Sequence, residues 1–466
     1  MKIAYKFPEK FLWGSASSGP QTEGGAGEGG RKPSIWDHWY DINPDRFHNK
    51  IGPKNTSNFY HQYKEDIGLM KKTGHNSFRT SIQWSRLIPD GIGKVNLDAV
   101  DFYNNVIDEL ISQNIEPFMN LYHFDMPLSM QMIGGWENRD VVDAYTNFAQ
   151  KCFELFGDRV KYWITFNEPI IPVEGGYMYD FHYPNIVDFK KAVRVAHHTI
   201  VAHALAVKSY RSLNLNGQVG IVLNLTPSYP RSDNPSDMRA AHFADLFFNR
   251  SFLDPSLKGE YPAELVKILN DQGMLPDDIC IKDLEAIKSN IVDFIGLNYY
   301  QPRRVKAKEH AVHPDAPFMP EHLFDNYIMP NRKMNVHRGW EICEKAIYDM
   351  AIDIRDNYGN IPFYISENGM GVEGEDKFRS DDGYIEDDYR IEFIAEHLKW
   401  LHKAIEDGAN CFGYHLWTFA DNWSWCNSYK NRYGLIEVDI NNEFKRIMKK
   451  SGRWYKTLSD NNGFTI

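Results

Sequence analysis

Cysteine is scarce in this chain and follows no pattern: five residues among 466, at Cys152, Cys280, Cys343, Cys411 and Cys426, with no CxxC pair. An odd, scattered set supports neither a disulfide framework nor a zinc site, and it fits a reducing compartment. Basic excess is lacking too. The formal net charge is −11, so the cationic footprint that nucleic-acid partners require is missing. No apolar run approaches the ~20 residues of a membrane span. The stretch from Met1 to Phe11 has charges and Pro8 but no apolar core, so neither a membrane partner nor a secretory leader is expected, and a cytoplasmic location is. Pro/Gly/Ser-rich linkers and low-complexity tracts are absent as well, which points to a single domain over residues 1–466.

What the chain does have is aromatic residues, 14% of the total. Most of them serve a large core, but flat rings also stack on the C–H faces of sugars. Along the chain, short apolar runs alternate with amphipathic helical stretches. The strand-like runs are Phe11–Ala16, Ser77–Ile82, Glu116–His123, Lys161–Asn167, Gln218–Asn224, Val292–Asn298, Pro362–Glu367 and Cys411–Thr418. Between them lie helical patterns at Tyr60–Thr73, Leu97–Gln113, Arg139–Phe156, Phe189–Leu213, Glu341–Tyr358 and Ile385–Asp407. Alternation of this kind predicts an α/β protein with a parallel sheet, and eight strands are the number that closes a (β/α)8 TIM barrel. A doubly wound open sheet is the alternative. Polar stretches at Lys306–Lys333 and Gly371–Tyr384 read as long βα loops, which in barrels surround the site.

Two glutamates fall at the C-terminal ends of predicted strands. Glu168 ends Trp163-Ile164-Thr165-Phe166-Asn167-Glu168-Pro169, where Pro169 removes a backbone donor and stops the strand. Glu367 ends Phe363-Tyr364-Ile365-Ser366-Glu367, and Asn368-Gly369 follows as a turn. A single glutamate at a strand end is ordinarily a solvated loop residue. Two at one barrel mouth suit glycoside hydrolysis, in which one carboxylic acid protonates the leaving oxygen while a carboxylate attacks or activates water.

The contexts of both glutamates resemble glycoside hydrolase family 1, and the likeness spans nearly the whole chain. Thr165-Phe166-Asn167-Glu168-Pro169 resembles the family's acid/base motif and Ile365-Ser366-Glu367-Asn368-Gly369 its nucleophile motif. Phe11-Leu12-Trp13-Gly14 with Gln21-Thr22-Glu23-Gly24 resembles its N-terminal signature. Arg79 to Arg86, Tyr122 to Pro127, Asn298-Tyr299-Tyr300, Gly339-Trp340-Glu341 and Trp417 follow in the family's order. The resemblance implies a retaining β-glycosidase with Glu168 as acid/base and Glu367 as nucleophile. It implies that Gln21, His123, Asn167, Asn298 and Trp417 shape the sugar subsite and that Arg79 and Tyr300 hold Glu367 as an anion. Trp340 would be the platform on the leaving-group side.

One block departs from the family's β-glucosidases. Where these carry Asn-Phe-Glu-Trp, this chain has Asn422-Trp423-Ser424-Trp425, so Ser424 replaces a carboxylate that would repel a 6-phosphate of about −1.5 to −2 charge. Downstream comes Tyr429-Lys430-Asn431-Arg432-Tyr433-Gly434. This resembles the phospho-glycosidase branch, in which a Ser, a Lys and a Tyr hold the phosphate. Ser424 and Tyr433 match. The lysine does not match cleanly, since some members carry it where this chain has Asn431, but Lys430 stands one residue earlier on the same loop and is the expected phosphate-binding lysine. The resemblance therefore implies a 6-phospho-β-glucosidase. A plain β-glucosidase or a 6-phospho-β-galactosidase, the latter suggested by Trp425, stay open.

Other patterns carry less. Gly25 to Gly30 and Gly369 to Gly374 both spell GxGxxG without leading into a helix, so dinucleotide binding fails its context test. Gly14 to Gly19 has P-loop spacing, but Pro20-Gln21 stands where Lys-Ser/Thr belongs. His197, His198 and His203 lie on one helical stretch without HExxH spacing and read as packing residues. No metal and no organic cofactor are expected, because two carboxylates suffice for the chemistry. The expected partner is a small-molecule glycoside, 6-phosphorylated, with a homo-oligomer left open. The rival from another class is a catalytically inactive carbohydrate-binding barrel, against which retention of both glutamates argues.

Overall fold

The computed structural model describes residues 3–313 and 315–465. Its centre is a closed barrel of eight parallel strands: β1 (Leu12–Ala16), β2 (Ser77–Ser81), β3 (Glu116–Asn120), β4 (Tyr162–Asn167), β5 (Gln218–Asn224), β6 (Phe294–Asn298), β7 (Phe363–Asn368) and β8 (Cys411–Trp417). Each strand pairs with the next, and β8 returns to β1, with Gly413 opposite Leu12 and Trp417 opposite Ala16. Closure leaves no edge, so the open-sheet alternative is excluded. Every expected strand is present within two residues of its predicted bounds except the third, which ends at Asn120 rather than His123.

Helices follow the strands on the outside: α1 (Phe59–Lys72), α2 (Leu97–Ser112), α3 (Arg139–Phe156), α4 (Phe189–Ser212), α5 (Ile281–Ser289), α6 (Lys345–Asn357), α7 (Asp388–Glu406) and α8 (Lys450–Asp460). The third shows how the sequence dictates them. Asn138 caps α3 by accepting from the Asp140 N–H at 3.0 Å. Val141, Tyr145, Phe148, Cys152 and Phe156 then recur every three or four residues and are all buried against the barrel. Among the described residues no helix is long and apolar enough to cross a membrane.

Two regions differ from the sequence reading. Glu341, expected to open a helix running to Tyr358, instead ends a short strand, Trp340–Glu341, antiparallel to Met334–Asn335. The chain reverses through Gly339 at φ +70°, a conformation open to glycine, and α6 starts only at Lys345. Between β5 and α5 lie three further helices, Pro235–Asp245, Ser251–Leu257 and Ala263–Asp271, outside the helical patterns expected from the sequence.

Inside the barrel the N-terminal end is plugged by an apolar layer of Phe118, Ile164, Val222, Phe294 and Tyr364. The layer above it is polar and opens on the loops. Those loops are tied to the helical shell by a buried ionic network around Arg390, which is fully buried on α7. Its guanidinium bonds to Glu375, to Asp387 at 2.9 Å, and to the carbonyls of Met370 at 2.6 Å and Tyr433 at 3.0 Å. Lys449 completes the network by pairing with Glu375 and with Asp421 at 2.9 Å. Substituting Arg390→Met leaves the buried Asp387 without its cation, while Glu375 keeps Lys449, and costs about 3–5 kcal/mol. The expected outcome is a fall of several degrees in the apparent Tm by scanning calorimetry at pH 7; an unchanged Tm would show that the network is dispensable.

Candidate active site

The polar layer is organised by Arg79 on β2, which is fully buried. One Nη of Arg79 donates to Asn167 Oδ1 at 2.8 Å and to Ser366 Oγ at 3.1 Å, and the other pairs with Glu367 Oε1. Glu367 Oε2 accepts from the Tyr300 hydroxyl at 2.5 Å. Two donors thus converge on this carboxylate from different strand ends, β2 and the loop after β6, which fixes its orientation as an acceptor.

Glu168 follows β4 directly, with φ of +47°, and only 9% of its surface is exposed. The left-handed backbone costs about 1–2 kcal/mol for a residue with a Cβ, and two hydrogen bonds hold it. The Glu168 N–H donates to Val222 O at 2.8 Å, and its carbonyl accepts from the Ile171 N–H at 2.9 Å. The side chain meets Asn298 Nδ2 at 2.8 Å, and the same amide donates to Asn167 Oδ1 at 3.1 Å. Burial, and then the Glu367 carboxylate, push the Glu168 carboxyl up to about 8, against the opposing pull of Asn298 and Arg79. Two carboxylates therefore share the mouth in different environments. One is gripped by donors, and the other is buried beside it with its proton retained at neutral pH.

Around them stand most of the residues expected from the sequence. His123 Nε2 lies 3.3 Å from Asn167 Nδ2, and the His123 ring is near-parallel to Trp417 and Trp425 at 6.1 Å each. Burial and then the Arg79 charge hold His123 well below the usual imidazole range, so it is neutral. It sits beyond β3 in a turn where Phe124 has φ +68°, not on the strand itself. Gln21 is locked by Ser18, which donates to its Oε1 at 2.9 Å, and by its own donation to the Trp423 carbonyl at 3.0 Å. Tyr300 packs against Trp340, ring centroids 5.4 Å apart, and against the cluster of Ala16, Trp417 and Tyr433. Ser424 and Tyr433 are both buried on the loop after β8.

Lys430 is the exception. Its side chain is 36% exposed and its ammonium lies 3.7 Å from Glu373, so it turns outward to a rim carboxylate rather than inward with Tyr433. The residue that turns inward is Asn431, 1% exposed. Sequence reasoning also missed Trp36, which stacks on Trp425 at 4.4 Å, and Arg338, whose guanidinium lies over the Trp340 ring at 4.2 Å. Neither belongs to a recognisable block, and each reaches the site only through tertiary packing. His197, His198 and His203 are packing residues on α4: they bond Tyr261 at 3.0 Å, the Trp136 carbonyl at 2.8 Å and Thr165 at 2.7 Å. Among the described residues no group of three or more His, Cys, Asp or Glu side chains is placed to hold a metal ion. A separate cavity of about 540 Å³, lined by Phe189, Phe247, Phe252 and Leu269, is almost wholly apolar and contains neither glutamate.

Residues 3–464 match the model of Glycosyl hydrolase family 1. The chain is 61% identical over 460 residues to the 6-phospho-beta-glucosidase GmuD of Bacillus subtilis, with 99% of each chain covered. It is 39% identical over 470 residues to a 6-phospho-beta-galactosidase of Clostridium acetobutylicum, with 97% of each covered. Among solved structures, a family 1 β-glucosidase from Thermotoga maritima superposes with a TM-score of 0.90 at 36% identity, covering 99% of both chains.

The raised Glu168 pKa has a consequence for stability. Folding favours the protonated carboxyl, so the stability it contributes is complete below the ordinary value of 4.5 and is lost as pH rises through about 8. Glu168→Gln keeps the neutral shape and cannot ionise. Its apparent Tm is expected to gain on that of the wild type between pH 6 and pH 9, while a Tm difference constant across that range would contradict the assignment.

Proposed function

We propose that this chain, which belongs to Glycosyl hydrolase family 1, is a retaining 6-phospho-β-glucosidase in which Glu367 is the nucleophile and Glu168 the acid/base. The observation that carries the mechanism is the division between the two carboxylates. In the first step Glu367 attacks the anomeric carbon and the glycosidic C–O bond breaks. The departing oxygen takes its proton from Glu168, leaving a glycosyl ester on Glu367 and Glu168 ionised. In the second step Glu168 accepts a proton from water as the water oxygen attacks the same carbon, and Glu367 leaves as carboxylate. Two inversions return the original configuration. Asn167, oriented by Arg79, is placed to hold the sugar 2-hydroxyl, a contact that strengthens as positive charge develops at the ring.

The phosphate preference rests on Ser424. A carboxylate at this position would repel a 6-phosphate, whereas serine removes the repulsion and offers a donor. The 61% identical relative that bears the name 6-phospho-beta-glucosidase supports the same reading.

Three measurements test it. Rates on p-nitrophenyl β-glucoside and its 6-phosphate, with the galactose pair alongside, are expected to favour glucoside 6-phosphate; faster cleavage of the plain glucoside would make Ser424 a neutral replacement. Glu367→Gln is expected to lower kcat by at least about 10³-fold while the protein stays folded, since covalent catalysis is lost, and a near-normal rate would end the mechanism. Because Glu168 must be protonated for the first step, kcat/KM for wild type should fall as pH rises through about 8.

A further inference from the structure

The outward turn of Lys430 leaves the question of which cation faces the phosphate. Resting on the 6-phosphate reading above, we propose that Arg338 is the cation of the phosphate subsite, reaching it from the Met334–Glu341 hairpin and standing in for the lysine that this chain lacks at Asn431. The geometry that points to this begins with Asn431 itself. Its Oδ1 accepts from Arg338 Nη1 at 3.4 Å and its Nδ2 donates to the His337 carbonyl at 3.3 Å, so both ends of the amide hold the hairpin turn. A second tie, from Asn335 Nδ2 to the Gly371 carbonyl at 3.1 Å, pins the same turn to the loop after β7. That loop in turn lies against Tyr433: a Cβ at Gly371 would come within 2.4 Å of the phenol ring. Arg338 is therefore held against Trp340 and Asn431, on a turn tied to the loop that packs on Tyr433.

Its charge is also uncompensated. Among the described residues no carboxylate lies within ion-pair distance of Arg338, whereas Arg304 and Arg332 of the same region share Glu341 and Lys430 faces Glu373. Arg338 Nε is buried without a hydrogen-bond partner. An unpaired donor on an unpaired cation is what an oxyanion would satisfy, and a guanidinium can meet two phosphate oxygens with parallel N–H donors where an ammonium supplies a point charge. Tyr433 lies within the field of this charge. Burial raises its phenol pKa, and the Arg338 guanidinium is the first of the groups that oppose the rise. Ser424 and Tyr433 would then donate from the loop after β8, and Arg338 from the loop after β6.

The test compares kcat/KM for p-nitrophenyl β-glucoside 6-phosphate with that for p-nitrophenyl β-glucoside, and reads their ratio. Losing charge-assisted hydrogen bonds of about 1.5–3 kcal/mol, Arg338→Gln should lower the ratio roughly 10- to 150-fold, and Arg338→Lys should lower it less. Restoring a lysine in the double variant R338Q/N431K should recover at least a tenth of the lost ratio, which a merely structural role for Arg338 would not produce. If Arg338→Gln instead slows both substrates equally, the residue serves the Trp340 platform and the proposal falls. If Lys430→Ala lowers the ratio as much as Arg338→Gln, the cation is Lys430 and the proposal falls. A wild-type enzyme that prefers the plain glucoside removes the phosphate reading itself and Arg338's role with it, an outcome visible before any variant is made.

Discussion

The site depends on one buried cation. Arg79 has no exposed surface, and a guanidinium in that setting requires anionic and polar partners or the fold pays several kcal/mol for its desolvation. Its partners come from β4 and β7 on the far side of the barrel: Asn167, Ser366 and Glu367. Closing the barrel is what brings those strands within reach, so the same contact that completes the sheet also sets the carboxylate in place. The reverse holds as well. Removing Glu367 strands a buried charge, and removing Arg79 strands the carboxylate, so site geometry and barrel stability are one constraint seen from two ends.

From that cation a gradient of environments extends across the mouth. Glu367 receives donors from both Arg79 and Tyr300, while Glu168 receives one neutral amide from Asn298 and is otherwise enclosed. Burial, and then the neighbouring Glu367 carboxylate, hold a proton on Glu168 to about pH 8. Asn298 bridges the two environments by donating to both Asn167 and Glu168. The left-handed backbone at Glu168 belongs to the same economy: a strained residue survives where neighbours over-determine it, and here β5 and the turn into Ile171 do so.

The architecture was legible in the sequence because the strands of a parallel barrel are buried on both faces and read as apolar runs between helices. Glu168 and Glu367 were legible because each closes such a run. What escaped was set by tertiary direction rather than local pattern. Glu341 continues the apparent helical period of α6 backwards, yet Gly339 turns the chain back on Met334 and pairs Trp340 and Glu341 into a hairpin. Lys430 and Asn431 are adjacent, and sequence spacing cannot say which of two neighbours on a loop faces inward; packing against Arg338 and His337 takes the asparagine in and leaves the lysine to Glu373. Arg338 itself lies 93 positions before its partner Asn431 and carries no pattern that would announce the contact.

These misses share a location, and the location has a reason. Glu168 and Glu367 stand at strand ends, where a shift of either would disturb the hydrogen-bonded ladder and the packing of Arg79. Ser424, Tyr433 and Arg338 stand on loops that hang from the rigid rim. Arg390 ties down the loops after β7 and β8 through the carbonyls of Met370 and Tyr433, and Asn335 ties the Arg338 hairpin to the first of these through Gly371. A change of substrate charge therefore needs no change in the barrel. It needs a carboxylate exchanged for serine on one loop and a cation delivered from any loop that can reach. A lysine at position 431 and an arginine at position 338 would be competing occupants of one small volume, and like charges so close repel. The asparagine at 431 resolves that competition, since its carbonyl draws the guanidinium in where an ammonium would push it out. With Arg338 as the proposed cation, the absence of the lysine that some phospho-glycosidases carry at position 431 is not a loss of the phosphate subsite but the local condition for building it from the opposite side.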